Sequence, residues 1–124
     1  MRHINLQSLA SWVLALGFVV LGVLYLNGAV FSAWVAGGPP NEHPLGWERR
    51  ALGQLSFSVA SFMLALGSRK LVISLPAWRR LPVALVLVGL ALAAAPYVGR
   101  FILQDQCLDR GGKWSNLTLE CAFQ

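Results

Sequence analysis

Residues 9–36 read LASWVLALGFVVLGVLYLNGAVFSAWVA. No charge interrupts the stretch, and Trp12 and Trp34 stand near its two ends. The two tryptophans are twenty-two steps apart, which at 1.5 Å per residue is about 33 Å, close to the hydrocarbon thickness of a bilayer. Indole rings favour the membrane–water interface, so their placement marks both edges of one span. The reading is a transmembrane helix, and it sets the class of the whole chain.

Two further apolar runs follow. Residues 51–67 lie between Arg49-Arg50 and Arg69-Lys70 and are rich in small residues: Gly53, Ser56, Ser58, Ala60, Ser61 and Ala65. Their Leu, Val and Phe residues give an insertion energy of roughly −2 to −4 kcal/mol, against roughly −3 to −6 for the first run. The second span therefore inserts weakly and needs a neighbour, and its small residues suit close helix packing. Residues 81–103 form the third run. Pro82 fits a first helical turn, Pro96 is expected to kink or open the helix, and Arg100 can snorkel to the headgroups. The fold class expected is an all-α membrane protein, a three-transmembrane-helix bundle over residues 1–103. A small disulfide-closed extracytoplasmic hairpin occupies residues 104–124.

Composition agrees. Of 124 residues, 56% are hydrophobic and 12% charged, about half the charge usual for a soluble domain. The net charge of +5 does not point to nucleic acid, because the basic residues cluster at the ends of apolar runs, where they set topology. No basic face interleaved with aromatics remains. The first run exceeds a signal-peptide core, so Met1 to Gln124 is expected as the mature chain. Loop one, residues 37–50 (GGPPNEHPLGWERR), reads as irregular; loop two, residues 68–80, carries four Lys/Arg with Trp78 and is expected to lie in the interface. Lys/Arg counts tie across the membrane. Loop two concentrates its positives without an acid, and the cysteines favour an exported tail, so the amino terminus is assigned to the cytoplasm and the tail to the periplasm.

The tail reads CLDRGGKWSNLTLEC, with Cys107 and Cys121 around Gly111-Gly112 and Trp114. Lys113-Trp114 can pair with residues 118–121 about Ser115-Asn116. A bridge closing about fifteen residues contributes ~3 kcal/mol in the chain-entropy model. A redox or metal role fits poorly, since there is no Cys-x-x-Cys and His3 and His43 fall on opposite sides of the membrane. Asn116-Leu117-Thr118 is formally a glycosylation sequon. This Cys-x3-Gly-Gly-x-Trp-x6-Cys element resembles the exported tails of small bacterial inner-membrane proteins, some of them toxin-immunity proteins. The resemblance covers about fifteen residues and implies an inner-membrane location and a protein partner, not a catalytic site.

Polar residues within the spans are few. Asn27, Gln54, Tyr97 and Arg100 share the level of the outer leaflet, either as interhelical hydrogen bonds or as a shallow polar pocket. No acid or lysine lies at mid-bilayer, which disfavours an ion pathway. No phosphate loop, zinc-protease or nucleophile-elbow motif occurs, and neither enzyme activity, a metal nor a cofactor is expected. The leading reading is a non-catalytic binding protein meeting a protein partner through Trp47, Trp114 and Arg100. A structural or assembly subunit of a larger membrane complex is the second reading, and a small oligomeric transporter or channel the third.

Overall fold

A computed structural model describes residues 5–77 and 79–123. Three helices follow one another, α1 (Leu6–Gly37), α2 (Pro44–Ser74) and α3 (Arg80–Asp109). Two short strands close the chain, β1 (Lys113–Ser115) and β2 (Glu120–Ala122). Each helix is long and apolar enough to cross a membrane, which marks a multi-pass membrane protein. The bridge between Cys107 and Cys121 is formed, with Cα atoms 5.6 Å apart. Arg2, His3 and Trp78 lie outside the described residues.

The helices run 32, 31 and 30 residues, about 45–48 Å at 1.5 Å per residue. That exceeds a hydrocarbon core of about 30 Å, and it corrects three boundaries. Residues 44–50 are not loop: Pro44 opens α2 at its first position, so Trp47 and Arg50 stand on helix. Residues 68–74 are not interfacial loop but the last turns of α2, which stops just before Pro76. Residues 104–109 continue α3 until Gly111, at φ 71°, turns the chain. Apolar runs delimit the slab, whereas helices end at Gly and Pro.

Pro96 lies inside α3 without ending it. Its ring removes the amide that would bond the carbonyl of Leu92, four residues earlier. The Ser56 hydroxyl of α2 donates to that carbonyl at 2.7 Å. A neighbouring helix thus satisfies the group proline leaves free, as lipid cannot.

The interior is small and the exterior large. Ser11, Ser32 and Ser58 are the largest fully buried side chains, while Val13, Leu16, Leu24, Phe31, Leu87, Leu90, Val98 and Phe101 point outward. A water-soluble chain would reverse this. Between helices in lipid, contact and hydrogen bonding replace the hydrophobic drive, and small residues allow close approach.

As expected from its small residues, α2 is central. It packs along both α1 and α3, which barely touch each other. One face of α2 carries Ala51, Ser58 and Ala65, all buried. Ser58 Oγ donates to the Gly22 carbonyl at 2.8 Å, and a Cβ on Gly22 would lie 2.8 Å from Phe62. The opposite face carries Gly53, Ser56, Ala60 and Gly67 against α3. A Cβ on Gly67 would lie 2.9 Å from Val86, and one on Gly89 would lie 2.9 Å from Leu64. Further along, a Cβ on Gly53 would lie 3.7 Å from Pro96, and one on Gly99 would meet nothing within 4 Å. The two helices are therefore tight near Gly67 and part toward the hairpin.

Candidate functional site

The parted ends of α2 and α3, with the hairpin above them, form the candidate site. Its geometry begins at the end of α3. Gly111 and Gly112 donate their amides to the carbonyls of Leu108 and Cys107, each at 2.9 Å, finishing the helix. The chain then enters β1, which pairs antiparallel with β2: Lys113 with Ala122, Trp114 with Cys121, Ser115 with Glu120. The turn spans residues 116–119 rather than closing at Ser115-Asn116. Leu119 takes φ 55° and donates its amide to the Ser115 carbonyl at 2.9 Å.

The hairpin docks on the start of α2 through four polar contacts. Helix α2 opens without a capping side chain of its own, so its first amides need acceptors from elsewhere. Glu120 supplies one: Oε1 accepts from the Gly46 amide at 3.0 Å. Its Oε2 lies 2.8 Å from His43 Nδ1, which carries the proton because a carboxylate only accepts. The His43 hydrogen bond, with the Gly46 amide and Arg49, holds the Glu120 carboxyl below its ordinary value of 4.5, against a smaller opposing effect of burial. Arg49 Nη1 donates to the Leu119 carbonyl, and Arg50 Nη2 to the Leu117 carbonyl at 2.7 Å. Gly46 must be glycine, for a Cβ there would collide with the Thr118 carbonyl.

Beneath the hairpin lies a cavity of about 680 Å3. Arg49, Arg50 and Arg100 stand at its walls; Tyr25, Phe57, Pro96 and Trp114 give it apolar surface. Among the described residues, no Asp or Glu lines it. It exists because Gly53, Ala95 and Gly99 put little or no side chain where the helices part.

The candidate residues from sequence are distributed as follows. Trp114 lines the cavity and donates its indole N–H to Asn116 Oδ1 at 3.0 Å. Trp47 is half-buried on α2, edge-on to Phe31 at 6.2 Å, with the Arg50 guanidinium 4.9 Å from its ring. Arg100 is exposed at the cavity wall. Gln54 also lines the cavity and accepts from Ser32 Oγ at 2.9 Å. Tyr97 is exposed and stacks edge-on with Phe57 at 5.7 Å, and Phe57 meets Tyr25 at 5.2 Å. Asn27 is exposed on α1 and stands apart from the cavity lining. The quartet is thus not one cluster: Gln54 and Arg100 share a wall, Tyr97 reaches it through Phe57, and Asn27 does not join.

Sequence reading missed the docking set of His43, Gly46, Arg49 and Glu120. The usable signal was a helix start at Pro44 with no Ser, Thr, Asp or Asn beside it, and an acid in a rigid tail. Among the described residues, no three of His, Cys, Asp and Glu gather as a metal site. No protein-family model, curated protein or solved structure matches the chain.

Proposed function

We propose that this chain is a non-catalytic binding protein of a bacterial inner membrane, meeting a protein partner from the side that carries the hairpin. Its amino terminus is cytoplasmic and its hairpin periplasmic. The reading is supported by the pre-organisation of the hairpin. A disulfide closes it, and Glu120, His43, Arg49 and Arg50 fix it to α2. On this fixed platform Leu117 is 84% exposed and Phe123 63% exposed. Large apolar side chains held rigid in the open bind with little ordering entropy to lose, and Trp47 and Trp114 stand beside them. Neutralisation of a membrane-directed or periplasmic toxin is the favoured instance, because it requires occupancy and no chemistry.

A photo-crosslinking residue at Leu117 tests it in source-cell membranes. The expected result is one discrete protein adduct, lost with Trp114→Ala while membrane insertion persists. A chain truncated after Leu103 that inserts and retains full activity would remove the hairpin from the function. For orientation, a cysteine at Leu117 should label in intact cells and one at Ala77 only after the membrane is opened. The opposite pattern inverts the assignment.

A further inference from the structure

The cavity between α2 and α3 has a chemistry that a protein partner does not account for. Three guanidiniums surround it, and among the described residues its lining holds no carboxylate. Arg49 and Arg50 each donate to a hairpin carbonyl, which is neutral, and among the described residues neither forms an ion pair. Each also keeps further N–H donors, since a guanidinium has five. Glu120 acts on Arg49 through space without bonding it, its two oxygens accepting from His43 and the Gly46 amide. The Arg100 guanidinium has neither a hydrogen bond nor an ion pair among the described residues.

The depth of these charges matters as much as their number. Arg50 and Arg69 are nineteen residues apart on α2, and Arg80 and Arg100 twenty apart on α3. At 1.5 Å per residue these are about 28 and 30 Å, the thickness of the hydrocarbon core. Arg50 and Arg100 therefore sit together at one headgroup plane. Below them the same cavity is walled by Tyr25, Leu52, Phe57 and Pro96. Charge at headgroup level above apolar walls matches a phosphate above an acyl chain. The volume lies within the roughly 300–1,000 Å3 of small-molecule sites.

We propose that this cavity holds one anionic phospholipid of the surrounding leaflet, its phosphate on Arg49, Arg50 and Arg100 and an acyl chain between α2 and α3. The site goes beyond the protein-partner reading, and it is tested on the purified chain with no partner present. The delipidated full chain is offered equal phosphatidylglycerol and phosphatidylcholine with identical acyl chains, and bound lipid is counted by native mass spectrometry. One phosphatidylglycerol per chain is expected, at about tenfold preference. Arg100→Gln should bring the preference toward unity, while Arg80→Gln at the opposite plane leaves it unchanged. Gly99→Leu, at a position with open space for a side chain, should expel lipid of either headgroup. A wild-type far-UV circular dichroism spectrum with a cooperative thermal transition reports that each variant has folded, and the wild-type competition decides the matter where one has not. Equal retention of the two lipids, or an unaltered preference in a folded Arg100→Gln chain, overturns the proposal. So does thermal stabilisation by inorganic phosphate alone equal to that by phosphatidylglycerol, which would make the cavity a free-phosphate site.

Discussion

Removing the Ser56 hydroxyl should cost stability chiefly because Pro96 is present. In α3 the carbonyl of Leu92 has no amide to accept from at residue 96, and Ser56 Oγ stands in at 2.7 Å. Side-chain hydrogen bonds between membrane helices average about 0.6 kcal/mol and reach about 1.7. Ser56 is half-buried and donates its hydroxyl to that carbonyl, so Ser56→Ala should cost ~1 kcal/mol. In a Pro96→Ala background the amide of residue 96 returns and can bond Leu92 itself. The alanine keeps the Cβ that faces Gly53. There the loss of Ser56 should cost only ~0.3 kcal/mol, leaving a coupling of ~0.7 kcal/mol between two residues on different helices. Reversible unfolding of the four chains of the cycle in micelles measures it. Costs that add within about 0.3 kcal/mol would refute the compensation and leave Leu92 satisfied by something else.

Ser58→Leu places a large side chain where Ser58 is fully buried against Gly22, and should cost about 1–3 kcal/mol of packing, read as lower folded yield; a wild-type yield would put this face of α2 toward lipid. Cys107→Ser should loosen the hairpin by about 3 kcal/mol, seen as rapid thiol labelling at Cys121, with the three spans still inserted. Glu120 has a lowered folded pKa, so its docking contribution is fully present above the ordinary 4.5 and is lost as pH falls through the lower folded value. Protease access to the hairpin should rise in acid in that window, and Glu120→Gln should show high access at all pH values. Gly46→Ala should push the Thr118 carbonyl off α2 and raise the same access at neutral pH.

The spans were legible because lipid imposes one strong rule, a run of apolar residues bounded by Trp and Arg. The central place of α2 was legible for the same reason: Gly53, Ser56, Ser58 and Ser61 are poor lipid-facing residues and good helix-facing ones. Helix ends were less so, since nothing in the hydrophobicity of residues 68–74 or 104–109 marks where hydrogen bonding stops. The small residues of α1 carry the same signal. Ser11, Ala15, Gly22, Ala29 and Ser32 recur at spacings of three, four and seven, and all five are buried against α2. The hairpin's docking was not legible. Arg49 and Arg50 are expected at a span boundary on topology alone, and only the fold brings the Leu117 and Leu119 carbonyls to them.

The same three arginines answer several demands because a span boundary is a single plane. A helix that leaves the hydrocarbon there presents its guanidiniums to headgroups, and α2 and α3 both do so on the hairpin's side. At the opposite plane the helices are fastened: Arg69 lies 4.1 Å over the Trp12 ring, and Gln7 Nε2 donates to the Val72 carbonyl at 2.6 Å. Gly67 and Gly89 let α2 and α3 close on each other in that half. Toward the hairpin, Pro96 takes the place of a close-packing glycine and the helices part. The hairpin holds only the rim of that opening, through Arg49 and Arg50 on α2 and Cys107 on α3. Closure at one end and parting at the other follow from where the small residues stop, and the space left lies at the depth where a phosphate meets its acyl chains.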